Sequence, residues 1–278
     1  KIVLEEMAAE AGVEVLYHAM VADAELAGGA IGRLLVCTKA GLQAVEAEVF
    51  VEATGDGDLI ARAGLEFVHG RPSDGATQPM TTNFRVGNVD IARVRRYVHG
   101  HPDEFWLGGI EAVDEAPRLS VSGFYEHVRQ AREAGEFPND RRGVLLFETN
   151  TLGEVNVNST HIFGRDATDP RSLSRAEGEG RRQAAAVFAF LRKRIPGFEH
   201  AVFLSTGCQI GVRESRRLCG AYTLTLDDLV SGRSFGDAVA VGGYPVDIHP
   251  PTPADARRAL GQTSQEHSIP QGNRYQIP

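Results

Sequence analysis

Apolar and polar positions follow two different rhythms along this chain, changing near residue 66. Before that point helical and extended patterns alternate. Lys1 to Ala11 reads as an amphipathic helix stopped by Gly12. Val13 to Ala19 alternates with period two and predicts a strand. Gly28-Gly29 predicts a turn, and Arg33–Thr38 is expected to pair across Lys39-Ala40-Gly41 with Gln43–Ala47. Val49-Phe50-Val51-Glu52-Ala53 suits a strand covered on both faces. That run breaks at Thr54-Gly55-Asp56-Gly57-Asp58, and a short helix from Leu59 to Ala63 follows, closed by Gly64.

From Phe67 onward the pattern shifts to loops, longer helices and hairpins. Val121, Phe124, Tyr125, Val128 and Ala131 fall on one face of a helix predicted over Ser120–Ala134. Val144–Phe163 reads as a hairpin turning at Thr151-Leu152-Gly153-Glu154. Ser174-Arg175-Ala176-Glu177 has the form of a capping box, ahead of an apolar stripe of Ala184, Val187, Phe188, Leu191 and Ile195. Pro196-Gly197 should end that helix. Ala201–Ser205, Gln209–Arg213 and Asp237–Gly243 predict strands, and Thr225 caps a helix starting at Leu226. Pro250–Gly272 lacks periodicity and reads as loop. The expected architecture is α/β over residues 1–66 and mixed α+β over 67–272, with 273–278 as a strand heading back to the first domain.

Charge and composition narrow the field. Twenty-nine basic against 37 acidic residues leave a net charge of −8, which argues against nucleic acid or an anionic membrane as partner. No apolar run approaches the ~18–20 residues of a membrane span. Cys37, Cys208 and Cys219 are odd in number and widely spaced, which predicts reduced thiols and a cytoplasmic setting. No CxxC pair points to zinc or dithiol chemistry. Lys1 already lies inside an amphipathic run and Tyr275-Gln276-Ile277-Pro278 is an apolar stub, so a fragment of a longer chain is expected.

The most informative segment is Ala53-Thr54-Gly55-Asp56-Gly57-Asp58. A parallel strand that breaks at glycine and opens a helix is where α/β folds bind nucleotides. The competing reading is an ordinary strand-to-helix turn with an Asp cap. A complete dinucleotide fold would also carry GxGxxG, which this chain lacks.

Val51-Glu52-Ala53-Thr54-Gly55-Asp56-Gly57-Asp58-Leu59 resembles the flavin-contacting strand end of glutathione-reductase-like FAD enzymes. Gly211-Val212-Arg213-Glu214-Ser215-Arg216-Arg217, the spaced Gly220, Tyr222, Leu224 and Thr225, Gly242 to His249, and Gln78-Pro79-Met80 resemble the bacterial FAD-dependent oxidoreductase family. The resemblance covers Val13 to Pro278. It implies a partial FAD-binding domain lacking its opening glycine loop and its closing flavin segment, joined to a substrate domain. It also implies that the backbone at Met20 and Val21 lies against adenine, and that Ala53, Thr54, Gly55 and Asp56 face the ADP half of FAD.

Arg213, Glu214, Arg216 and Arg217 form the densest charged cluster. Alternation along a strand lets at most two enter one pocket. There an Arg could hold a substrate carboxylate or steady the negative charge of reduced flavin, and a structural ion network is the alternative. Arg213 is the leading catalytic candidate, with Arg85, Arg216 and His249 as substrate-binding candidates. Asp247 and His249 share a strand face, as an orienting acid and an imidazole would, or pack structurally. His99 and His101 read as surface residues, and Asn156, Asn158 and Thr160 as sheet or substrate hydrogen-bonders. Cys208 reads as a buried inert thiol, with a reactive one near flavin as the alternative. No metal ligand set stands out. The expected function is hydride transfer between a small organic substrate and FAD, with an electron acceptor the sequence does not identify. A flavin-free scaffold domain and a metal hydrolase built on the histidines are the alternatives.

Overall fold

A computed structural model describes residues 1–106, 110–244, 246–259 and 274–278. Two units emerge, one of residues 1–68 with 216–223, the other of 69–215 with 224–278.

The first unit opens with α1 (Ile2–Glu10) and a three-stranded antiparallel sheet. Its strands are β1 (Met20–Ala27), β2 (Ala30–Thr38) and β3 (Gly41–Glu46). Register runs Ala27↔Ala30 at the first turn and Thr38↔Gly41 at the second. The expected turns are therefore in place, and β1 is the pairing that the sequence pattern missed. Val13–Ala19 is irregular and largely exposed. Val49–Ala53 is also irregular, with Val49 and Val51 at 77% and 85% exposure, contrary to the expected doubly covered strand. Among the described residues neither run has a partner strand, and an extended segment without a ladder is not a strand. Helix α2 (Asp58–Arg62) follows, then β4 (Phe67–His69).

The second unit is built on a six-stranded antiparallel sheet. In chain order its elements are β5 (Phe84–Gly87), α3 (Ile91–Gly100), β6 (Phe105–Trp106), α4 (Ile110–Glu115), β7 (Ser120–Gly123) and α5 (Tyr125–Glu133). Then come β8 (Val144–Glu148), β9 (Val155–Val157), α6 (Pro170–Arg194) and β10 (Val202–Thr206). Strand order is β10-β5-β9-β8-β7-β6. The expected hairpin is β8–β9, in the register Leu146↔Val157 and Glu148↔Val155. The helix expected over Ser120–Ala134 is instead a strand and a helix, divided at Phe124, which takes φ +58. Ser120–Gly123 pairs with β8, so sheet pairing overrides the helical spacing of its apolar residues.

Helix α6 starts one turn earlier than its apparent capping box. The Asp169 carboxylate accepts from Arg171 N–H and Ser172 N–H, and Pro170 stands at the first helical position. Ala184, Val187 and Leu191 are fully buried, as the stripe predicts. They meet Phe84, Val86, Val144, Leu146, Val155 and Val157 from alternate sheet positions, with Val94, Val98 and Val128 from α3 and α5. Burying each such side chain contributes roughly 1.5–3 kcal/mol.

Three further strands and two helices complete the chain. β11 (Arg216–Leu218) joins β4 in the first unit. α7 (Leu226–Ser231) carries a capping box between Thr225 and Asp228. β12 (Ala240–Gly242) pairs with β13 (Tyr275–Ile277) in the second unit, where the sequence placed a return toward the first domain. α8 (Pro253–Ala259) occupies part of the expected loop, and the rest of that loop lies outside the described residues. Gln209–Arg213 makes only an isolated bridge, Thr81↔Gly211.

Where α6 crosses the segment before β5, a Cβ on Gly180 would stand 2.0 Å from Thr82 Oγ1. At Gly178, two residues earlier, it would meet only the tip of Arg182 at 3.5 Å. Gly180→Ala is therefore expected to destabilise by about 1–3 kcal/mol through overpacking. Gly178→Ala is expected to stabilise by roughly 0.5–1 kcal/mol through helix propensity. Denaturant unfolding of the two variants checks both signs.

Candidate functional site

Three extended segments of the second unit lie side by side. Met80 and Ile162 exchange backbone hydrogen bonds of 2.9 and 3.0 Å, and Thr81 and Gly211 exchange bonds of 3.0 and 2.7 Å. The Thr160 hydroxyl accepts from Thr82 N–H at 2.7 Å and donates to Thr82 C=O at 3.1 Å. Met80, Ile162, Ala176 and Ile210 form a separate apolar cluster beneath them. From α6, Gln183 accepts from His161 N–H at 2.9 Å and donates to His161 C=O at 2.8 Å. Asn139 donates to Ser159 C=O and to the Gln183 carbonyl oxygen, and accepts from Arg141 N–H at 3.1 Å. These amides tie the backbone at Arg141 to the backbone at His161.

The side chains held this way are cationic or weakly basic. Arg213 Nη1 donates to Pro79 C=O and to Thr81 Oγ1. His249 is anchored by its N–H to Gln78 Oε1 at 2.9 Å, and its ring meets His161 edge to face at 5.6 Å. Asp247 Oδ2 stands 3.8 Å from His249 Nε2. Arg141 Nη1, both ring nitrogens of His161 and Asn158 Oδ1 are buried, with no hydrogen-bond partner among the described residues.

Burial dominates the electrostatics here. It lowers the His161 pKa to about 2, helped by the charges of Arg141, His249 and Arg213. It lowers His249 to about 4, with Arg213 and Arg141 adding to the effect and Asp247 opposing it. Arg141 falls to about 10 by burial and then by Arg213, again opposed by Asp247. Arg213 is lowered by burial and raised by Asp247. At neutral pH the imidazoles are uncharged and the guanidiniums are not.

Of the residues singled out in the sequence, Arg213 and His249 are brought together. Arg85 lies elsewhere on β5, more than half exposed and paired with Glu154 at 3.0 Å. Arg216 belongs to the first unit, where Nη1 bonds Asp58 Oδ1 at 3.0 Å and Asp56 C=O at 3.1 Å. The dense charged run thus divides within four residues, and Glu214 accepts from Gln78 N–H. Met20 and Val21 open β1 opposite Cys37 and Val36. Cys208 is exposed, so the buried-thiol expectation is corrected. Arg141 and His161 escaped notice in the sequence. Their one sequence signal is a polar run, Asn158-Ser159-Thr160-His161, in a stretch the hairpin pattern would fill with alternation.

A family model described as FAD dependent oxidoreductase matches residues 1–278. The chain belongs to that family. No curated protein and no solved structure matches it. Family membership makes this an FAD-dependent oxidoreductase, with FAD as cofactor, in preference to a scaffold or a metal hydrolase. No helix among the described residues is long and apolar enough to cross a membrane.

In this FAD-dependent oxidoreductase the turn is exposed over Ala53–Gly55, while Asp56 and Asp58 are half-buried and Gly57 is buried. Gly55 takes φ +88, and nothing lies within 4 Å of where its Cβ would be. That fits a cofactor lying flat along the main chain. The N-terminus of α2 is not part of such a seat, because the Glu52 carboxylate fills it. Glu52 accepts from Thr54 N–H at 2.5 Å and from Leu59 N–H at 2.8 Å. Burial pushes its carboxyl up, but these bonds outweigh burial and hold it below the usual range. Gly57 is the N-cap, so the Asp cap of the competing reading is not formed.

The histidines give the enzyme a pH dependence of stated sign. Below about 6.5 the unfolded chain protonates both, while folded His249 waits until about 4 and folded His161 until about 2. Stability is therefore lost as pH falls from about 6.5 toward 4, by up to about 1.4 kcal/mol per pH unit for each histidine. Denaturant unfolding across that range should show the loss, and His161→Gln should flatten it by one proton's share.

Proposed function

We propose that the enzyme transfers hydride between a small organic substrate and FAD, with Arg213, Arg141, His161 and His249 at the substrate end. The first unit serves as the glutathione-reductase-like FAD domain, where Met20, Val21, Ala53, Thr54, Gly55 and Asp56 face the ADP half, and the second serves as the substrate domain. The supporting observation is the buried cationic cluster of the second unit. It leaves hydrogen-bonding atoms unpaired at Arg141 and His161. Buried polar groups are ordinarily satisfied, so an unpaired set on a built scaffold marks a ligand site.

Bound FAD supplies the two-electron chemistry, and the chain's task is to position and to move a proton. Arg213 is fixed by Pro79 C=O and Thr81, which aims its guanidinium without freedom to wander. His249 is uncharged at neutral pH and can take a proton at Nε2, where Asp247 stands to balance the imidazolium. Arg216 supports the turn at Asp56 and Asp58 from its place in the first unit.

Three outcomes are expected. The purified enzyme is expected to be yellow and to bleach anaerobically with its substrate; a colourless protein that gains no flavin on reconstitution would overturn the reading. Arg213→Ala is expected to retain flavin and to lose on the order of 100-fold in kcat/KM. Arg85→Ala, a surface change, is expected to stay within about 2-fold of the parent. Steady-state kinetics with flavin content measured alongside separates the three.

A further inference from the structure

We infer that Arg141, together with His161, forms a carboxylate-binding site, so that the substrate is a carboxylic acid held through its anionic end. This rests on the proposed function only in making the ligand the substrate; the binding site stands on its own geometry. A guanidinium stays charged in a protein, and a buried charge without a partner is costly. Arg141 Nη1 is buried and unpaired among the described residues, one turn of chain from the Asn139 amide that fixes its backbone. His161 places two more buried, unpaired ring nitrogens in the same neighbourhood, on a backbone held at both N–H and C=O by Gln183. One of those nitrogens carries a proton to donate whichever tautomer is present.

Charge selects the ligand. Arg141 and Arg213 each feel Asp247, and the charge of Arg213 also acts on Arg141. Of the charges that act on these side chains, two guanidiniums stand against the one carboxylate of Asp247, so the set is net positive. A carboxylate monoanion balances it, and its two coplanar oxygens match one guanidinium N–H and one imidazole N–H. A phosphate would bring nearly two negative charges and a third and fourth oxygen. Arg213 Nη1 is already committed to Pro79 C=O and Thr81, so the extra charge and oxygens of a phosphate exceed what this set balances.

Calorimetric titration of the flavin-loaded enzyme tests this with propionate, its neutral isostere propionamide, and inorganic phosphate. Saturable one-to-one binding of propionate is expected, with propionamide and phosphate each at least about 10-fold weaker. Equal binding of propionamide, or tighter binding of phosphate, would overturn the inference without any variant having to fold. Arg141→Gln is expected to weaken propionate about 10-fold or more while leaving the thermal midpoint unchanged or raised, since a buried unpaired charge has been removed. A lowered midpoint with propionate affinity intact would assign Arg141 to structure instead. The two readings fail separately: a yellow enzyme that ignores propionate loses the carboxylate site and keeps hydride transfer. A colourless protein that binds propionate keeps the site and loses the flavin reaction.

Discussion

The arrangement around the candidate site depends on one amide. Gln183, halfway along α6, holds the N–H and the C=O of His161 together, and Asn139 bonds to the same amide. A buried irregular segment would otherwise leave those backbone groups unsatisfied. Because α6 is itself packed through Ala184, Val187 and Leu191 into the sheet core, the amide transfers the rigidity of that core to His161. Gly180, one turn earlier, lets α6 approach Thr82 closely enough for the reach to work. Helix packing, rather than loop chemistry, therefore positions the polar cluster.

The cluster sets two opposing demands against each other. Burial strips water from four ionisable groups and favours their neutral forms, which the imidazoles can adopt and the guanidiniums resist. Asp247 offsets part of the remaining charge. What is left is a buried, net positive environment in which the imidazoles stay neutral. The first unit works differently: its turn at Gly55 is exposed main chain, while the Asp58 and Leu59 amides that open α2 are already bonded by Thr54 Oγ1 and Glu52. One unit thus presents side-chain charge and the other presents backbone.

Much of the local structure was legible because it is written in short-range chemistry. The β2–β3 turn, the β8–β9 hairpin, the stripe of α6 and the Thr225 cap each depend on residues within a few positions of one another. The misreadings share a cause. Val13–Ala19 and Val49–Ala53 have strand-like spacing, but strands exist only with partners, and partner choice is non-local. Ser120–Gly123 has helical spacing, yet β8 captures it.

The sequence by itself determined the family and the flavin, and it named Arg213 and His249 as candidates that the fold then placed in one cluster, since motif order and short charge patterns are linear features. Only the tertiary structure decided which charges share a site. It separated Arg213 from Arg216, only three residues apart, because Arg213 stays with Pro79 and Thr81 while Arg216 pairs with Asp58 in the other unit. It also brought Arg141 and His161 to His249, across more than 80 residues of chain. Coulomb interactions and desolvation depend on distance in space, and nothing in the order of residues encodes that distance until the core has packed.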